Sequence, residues 1–528
     1  MENMRMKRII EKLFLVALVV LSSVVCISCG GQDAHSAVIV IGEDANQDLA
    51  KQLQKAMGNS VKIVTDTEDT KAATEILLGE TNREESLAGS RGIREEDGWV
   101  RFYEGSVVIQ GGSKDKLEHM VQYFIENYVP IWKEGDYFST EYNDNYYAYG
   151  KYALKALRFN DTDIYEYSIV TKNGEETADA LLIQQHIEAT SSYKLPIISS
   201  KDLEEGQKAI IFGSSDARNV KEKCVQLNED EFLIEEEDGS LYLCAWSEEK
   251  ENILAYMFLG ETVGCQLYDD TVKESVVAYE DYRFKFTTSY DGSGKFNAMC
   301  TRVVHYPIQD EFNVKQGGCT DGTYIYIVMQ DQIKNSGNCV IMKLDPSNWE
   351  VVDISEPLPL EHGNSITYVP ELNRFLVANL EPDNTRVSWV DAKTLKFIKS
   401  ENLPYTASSL SWSQVRKQFA VSSSNKIMLI TDKDLNVKES YYGLASNYTN
   451  QGYAVDDEYI YIVSNSNNAI HVCDWEGHWI ETISIPVGSE FEMETIIALG
   501  DMYYTTYVLN QDYGTDIYAT IFYRRLYQ

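Results

Sequence analysis

Chemistry in this chain would have to come from polar side chains that recur about every 45 residues in its C-terminal half. They are Gln316, His362 with Asn364, Ser408 with Ser409, Asn450 with Gln451, and Glu492 with Glu494. In a strand, residues two apart face the same way, so Glu492 and Glu494 would present a carboxylate pair, the residue type that moves protons in acid–base catalysis. The amides and the histidine around them suit sugar hydroxyls or a cation. Other constellations read as structure. His471 and Cys473 share a strand face and, with His478, are metal-ligand types, but their apolar setting marks a core strand. Glu235, Glu236 and Glu237 flank a turn and read as a solvated run. Gln110-Gly111-Gly112-Ser113 precedes a helix yet lacks the lysine of a phosphate loop, so it reads as a packing turn. No Ser-His-Asp order or nucleophile elbow is present. The candidate ligand-binding residues are therefore Gln316, His362, Asn364, Gln451, Glu492 and Glu494, with no cofactor and no metal expected.

The elements that must position these residues are short strands in a repeat. Gln316-Gly317-Gly318 to Val328 matches Gln451-Gly452-Tyr453 to Val463, three repeat periods further along. Weaker copies begin near Arg374, Gln418 and Met502, and Asp345, Asp391, Asp432 and Asp474 open turns at matching places, where a short carboxylate can bond its own backbone. Several short strands in each period of roughly 40–45 residues is the mark of propeller blades. Counting anchors gives a five-bladed β-propeller over residues 300–528, with Thr301 to Val304 completing the last blade and closing the ring. The blades resemble those of bacterial surface propellers and, more loosely, NHL-type and quinoprotein-like propellers. No positions match the three inward carboxylates of five-bladed glycosidases.

The first half carries a different repeat. Strand, helix, strand, the run Ile76 to Arg83, a strand pair and a helix recur from Tyr167 to Leu259, and the stretch from Gly79 to Phe124 is as long as that from Gly213 to Phe258. Period-2 runs alternating with helical stripes predict two tandem small α/β domains, at 37–160 and 161–290 with their linkers. Ile76-Leu77-Leu78-Gly79-Glu80-Thr81-Asn82-Arg83, followed by Asp97 to Gly112 and a helix, resembles the accessory α/β domain that precedes the catalytic barrel of family 20 hexosaminidases and α-glucuronidases. That resemblance implies a polysaccharide-related history. It does not bring glycosidase chemistry, because no (β/α)8 barrel follows. Arg83 and Arg218 are expected to pin the loop after each glycine, and the tyrosines from Tyr142 to Tyr149 to serve packing more than sugar stacking.

The N-terminal residues set the compartment. Arg5, Lys7, Arg8 and Lys12 precede an uncharged apolar run from Leu13 to Val25, too short for a mature span and typical of an export signal. Cys26-Ile27-Ser28-Cys29-Gly30 resembles a bacterial lipobox, which implies cleavage after residue 28, a linker over 29–36 and acylation, palmitate included, at Cys29. More than one acyl chain anchors stably. The formal charge of −36, which becomes −38 once the four basic and two acidic residues of 1–28 are removed, makes nucleic acid and anionic lipid poor partners. Of nine cysteines, seven lie beyond the anchor, with no CxxC spacing, and most read as small buried residues with at most one or two disulfides. The expectation is a lipid-anchored protein on the outer face of a cytoplasmic membrane, of Gram-positive type, multidomain α/β plus all-β. It would bind a polysaccharide, a wall polymer or a surface protein without catalysis. The alternative is an extracellular carbohydrate-active enzyme, hydrolase or lyase, with its acids at the propeller axis.

Overall fold

The structure is a computed structural model. It describes residues 37–42, 47–58, 61–67, 71–133, 145–152, 154–159, 162–262, 273–277, 282–289, 295–306, 312, 314–331, 336–423, 427–444, 450–487, 491–509 and 515–526. Cys29, its lipobox and Cys265 lie outside the described residues. Among the described residues no helix is long and apolar enough to cross a membrane. The chain forms two compact units, up to Gly150 and from Lys151 onward.

In the first unit, strands β1 (Ala37–Ile41), β2 (Lys62–Thr65), β3 (Thr74–Leu78), β4 (Gly98–Tyr103), β5 (Ser106–Gly111) and β6 (Tyr146–Ala148) form one sheet in the order β2-β1-β3-β5-β4-β6. β1, and β3 from Ile76 to Leu78, are apolar on both faces, as central parallel strands covered on both sides must be. Helices Gln47–Met57 and Lys114–Asn127 bury Leu49, Leu53, Leu117, Met120 and Phe124 against it. Tyr146 stacks on Tyr123 at 3.6 Å within this unit.

The second unit opens with β7 (Leu154–Phe159) and β8 (Thr162–Asp163), which pair with each other. It repeats the first sheet with β9 (Ser168–Thr171), β10 (Ile197–Ser199), β11 (Ala209–Phe212), β12 (Glu231–Glu237) and β13 (Ser240–Ala245), while β14 (Lys273–Val277) joins β7, and β15 (Arg283–Thr287) takes the place of β6. The order β10-β9-β11-β13-β12-β15 matches the first sheet strand for strand. Even the register agrees, since Ile76 faces Val107 as Ile210 faces Leu241. The two hairpins turn at Gly105 and Gly239, both at positive φ, a conformation glycine adopts without a Cβ penalty. Arg83 pins its loop through Glu75 at 3.1 Å, and Arg218 through the carbonyls of Glu204 and Gln207, both at 2.8 Å.

A β-propeller follows. Its self-contained blades are four antiparallel sheets: β17 (Val314–Thr320) to β20 (Val351–Ile354), β21 (Ser365–Val369) to β24 (Phe397–Asn402), β25 (Ser409–Ser413) to β28 (Val437–Tyr442), and β29 (Asn450–Val455) to β32 (Trp479–Ser484). The sequence count of five is thus corrected to four free-standing blades. The remaining strands, β33 (Phe491–Leu499), β34 (Met502–Leu509) and β35 (Thr515–Arg525), belong to a ten-stranded sheet. The cause is edge pairing: β15 joins β35 through Phe286 with Arg525 and Thr287 with Arg524, so this meander continues into the second α/β sheet instead of ending as a separate blade. β16 (Asn297–Tyr306) lies along β35, with Thr301 opposite Ala519 and Val304 opposite Ile517.

Candidate functional site

The strands that begin each repeat form a closed ring: β17 touches β21, β21 touches β25, β25 touches β29, β29 touches β33, and β33 returns to β17. They enclose an axial cavity of about 100 Å³ lined by Thr320, Thr367, Ser411, Val455 and Ile497 among others. That lining carries no charge.

The opposite end, where the five strands begin, is built differently. β17 pairs Lys315 with Met329 and then Gly318 with Ile327, leaving Gln316 and Gly317 in a bulge. β29 does the same at Gln451 and Gly452, and β33 at Glu494. A bulge re-aims the residue it frees. The glycines are required by close approach: a Cβ on Gly317 would lie 2.4 Å from Cα of Ser365, and one on Gly452 would lie 2.9 Å from Cα of Thr495. β21 and β25 run without interruption.

The structure brings four of the six expected residues together. Asn364 donates from Nδ2 to the carbonyl of Ser408 at 2.6 Å and reaches that of Gln451 at 3.5 Å, so one amide spans three strands of the ring. Gln451 Nε2 donates to Glu492 Oε1 at 3.2 Å, and Asn465 Nδ2 donates to the same oxygen at 2.6 Å. Glu494 is only 6% exposed, and among the described residues its carboxyl makes neither a hydrogen bond nor an ion pair. Burial raises its pKa to about 8, Glu492 adds to the rise, and Lys315 opposes it. Two expected residues stand apart. Gln316 is buried and donates to Gln330 Oε1 at 3.2 Å. His362 is half-buried, with its pKa lowered by burial and Glu381 acting the other way.

Sequence reasoning missed Lys315, which is fully buried. Its ammonium group donates to the carbonyl of Tyr507 and, at 2.9 Å, to that of Asp516. Burial lowers its pKa to about 7, against the charges of Asp516 and Glu494. His305 Nδ1 lies 2.9 Å from Asp516 Oδ1. Asn379 accepts from Ser388 Oγ at 2.8 Å, but its buried Nδ2 has no partner among the described residues. A lysine inside the otherwise buried run Val314 to Cys319 was the one available signal. The arrangement offers two things: hydrogen-bonding groups held at bulges, and an amine and a carboxyl whose proton affinities converge near neutrality.

Two other candidates are occupied by their own neighbours. A cavity of about 310 Å³ contains Asp456, Tyr461 and Tyr503, but Tyr503 donates to the Tyr461 hydroxyl and Tyr461 to Asp456 Oδ2, each at 2.7 Å. His471 meets Thr482 Oγ1 at 2.8 Å, and Cys473 is buried beside Met428 Sδ at 4.0 Å, both core positions. Among the described residues no group of His, Cys, Asp and Glu is arranged to hold a metal.

No protein-family model matches the chain, and no curated protein matches it by sequence. Solved structures are similar to part of it at low identity. The β-propeller domain of Cps50 (Swd1) from Myceliophteria thermophila is 10% identical, covering 43% of this chain and 99% of that one at a TM-score of 0.26. U3-55K is 8% identical over 38% of this chain and 77% of that one, at 0.28. Virginiamycin B lyase from Staphylococcus aureus is 13% identical over 42% and 74%, at 0.27. The hexosaminidase-type resemblance and the lipobox rest on their own residues.

Proposed function

We propose that this protein is a binding module that takes a hydroxyl-rich ligand, a carbohydrate or wall polymer, at the end of the propeller where the innermost strands begin. The observation that carries the reading is Glu494: a carboxyl 6% exposed at the bulge of β33, without a hydrogen-bond partner among the described residues, next to Glu492, whose carboxylate Gln451 holds. A largely buried carboxyl that no neighbouring side chain or backbone group holds is hydrogen-bonding capacity for a ligand. Amides and carboxylates in fixed positions are what sugar hydroxyls require. In this reading a lipid on Cys29 holds the module outside the membrane, the innermost ring counts five strands, and the two α/β sheets serve as a stalk or second module.

The mature protein should bind on a glycan array, and Glu494→Ala should lower the affinity at least about tenfold while His362→Ala changes it less. Absence of binding to every sugar overturns the carbohydrate reading. A second reading, an extracellular hydrolase or lyase, draws on Lys315 and Glu494, an amine and a carboxyl brought to about 7 and about 8. Turnover of an array glycan that disappears in Glu494→Gln without loss of binding would favour it.

A further inference from the structure

The two α/β sheets dock a short helix on the same strand by different chemistry. In the first, Gln110 on β5 donates from Nε2 to the carbonyl of Ser86, in the helix Glu84–Ser90, at 2.8 Å. The offset that carries Ile76 to Ile210 and Gly105 to Gly239 puts Cys244 of β13 in the place of Gln110, Val220 in that of Ser86 and Cys224 in that of Ser90. Cys244 Sγ lies 4.0 Å from the carbonyl of Val220, in the helix Val220–Cys224. An amide contact has been replaced by a pair of thiols: Cys244 is fully buried, and half-buried Cys224 packs against the cluster that contains it.

We propose that Cys224 and Cys244 are a redox modification site, closed to a disulfide by thiol–disulfide exchange with a low-molecular-weight disulfide. The bridge would tie the helix Val220–Cys224 covalently to β13.

Geometry assigns the roles. Cys224 is the more exposed of the two cysteines, at the helix end, against Gly213; a Cβ on that glycine would sit 2.7 Å from Sγ of Cys224 and 3.1 Å from Oε1 of Glu251. The hydrogen bond from Cys244 favours the Cys224 thiolate, while burial and Glu251 oppose it. The same bond, together with burial, holds Cys244 as a thiol. Cys224 thiolate therefore attacks one sulfur of the donor, forming a mixed disulfide and releasing one thiolate. Cys244 then gives up its proton and attacks Cys224 Sγ, closing the protein disulfide and releasing the second donor thiol. Two protons and two electrons pass from the cysteines to the donor, which leaves as two thiols.

The other described cysteines meet different groups. Cys300 approaches Thr520 Oγ1 at 3.5 Å, Cys339 approaches the carbonyl of Glu361 at 3.4 Å, Cys473 sits beside Met428, and Cys319 is buried.

The test uses the full chain, reduced and then incubated with oxidised glutathione, denatured, alkylated and mapped by peptide mass spectrometry. Linked peptides containing Cys224 and Cys244, without alkylation at either, are expected, with a melting temperature about 5 °C above that of the reduced chain. Cys244→Ser should stop at a glutathione adduct on Cys224. Alkylation of both cysteines in the oxidised wild type, or a stable glutathione adduct on Cys224 while Cys244 is present, overturns the proposal. If Cys244→Ser does not fold, brief alkylation of the native reduced wild type decides the roles: Cys224 must react ahead of Cys319, Cys339 and Cys473, and equal rates overturn the assignment.

Discussion

Two arcs of the same ring use their polar residues in opposite ways. On β21 and β25 hydroxyls complete the neighbouring backbone. Ser365 Oγ accepts from Leu410 N–H at 3.2 Å and donates to the Leu410 carbonyl at 3.1 Å, and Thr367 Oγ1 accepts from Trp412 N–H at 3.0 Å. On β17, β29 and β33 three bulges break the register, and the freed positions carry Gln316, Gln451 and Glu494. The first arc ties strand to strand; in the proposed reading the second, with Glu494 at its bulge, is where a ligand is met. In the proposed reading, a repeating propeller becomes a site by local departures from the repeat.

The sharpest way to break the bulged arc is steric. Gly317→Val places carbon where the backbone of Ser365 stands, 2.4 Å from a Cβ position, and β17 must move off β21. We expect a loss of about 3 kcal/mol or more in urea unfolding, at the upper end for overpacked cores, together with loss of ligand binding. Tolerance of the substitution would show that the bulge is not needed to seat the strands.

How much of this was legible depended on range. The repeat period and the polar starts of the strands come from local patterning, so Asn364, Gln451, Glu492 and Glu494 could be grouped from residue types alone, but so were Gln316 and His362, which have other neighbours. The duplication was equally visible, because sheet order and register follow turns such as Gly105 and Gly239. Simple alternation misled at β33: it puts Glu492 and Glu494 in one environment, whereas the bulge leaves Glu492 half-buried and hydrogen-bonded and Glu494 buried. Lys315 was out of reach for another reason. Its partners are carbonyls 192 and 201 residues away, contributed by backbone and therefore by no residue type. The merging of β35 with β15 is likewise an edge pairing that no periodicity encodes.

The next test is electrostatic and confined to the bulged arc. Folded Glu494 keeps its proton to about pH 8, while the unfolded chain releases it near the ordinary 4.5. Across that window the folded state binds more protons, so stability falls as pH rises. Lys315 acts in the opposite sense: the folded amine loses its proton near 7, the unfolded one near 10.5, so between those values stability rises with pH. The two limbs meet in a minimum near pH 7 to 8, set by Lys315 and Glu494 with Asp516 and Glu492 beside them. Urea midpoints measured against pH should lose the falling limb in Glu494→Gln and the rising limb in Lys315→Met. A profile unchanged in both variants would mean that the pair is solvated and the arc is not a sealed site.

The smallest effect belongs to the plain arc, and it tests whether scaffold is all that arc provides. Ser365→Ala removes one hydroxyl from between β21 and β25, leaving the amide and carbonyl of Leu410 each short of one bond. About 1–2 kcal/mol should be lost in urea unfolding, the range for a buried hydrogen-bonding group left unsatisfied. The pH profile should keep both limbs, because Ser365 faces the backbone of β25 and is not a partner of Lys315 or Glu494. Ligand affinity should stay within about threefold of wild type, the ordinary scatter for contacts outside a hot spot. A large loss of affinity at constant fold would move the site across the axis, and the contrast between the arcs would then be one of strand pairing alone.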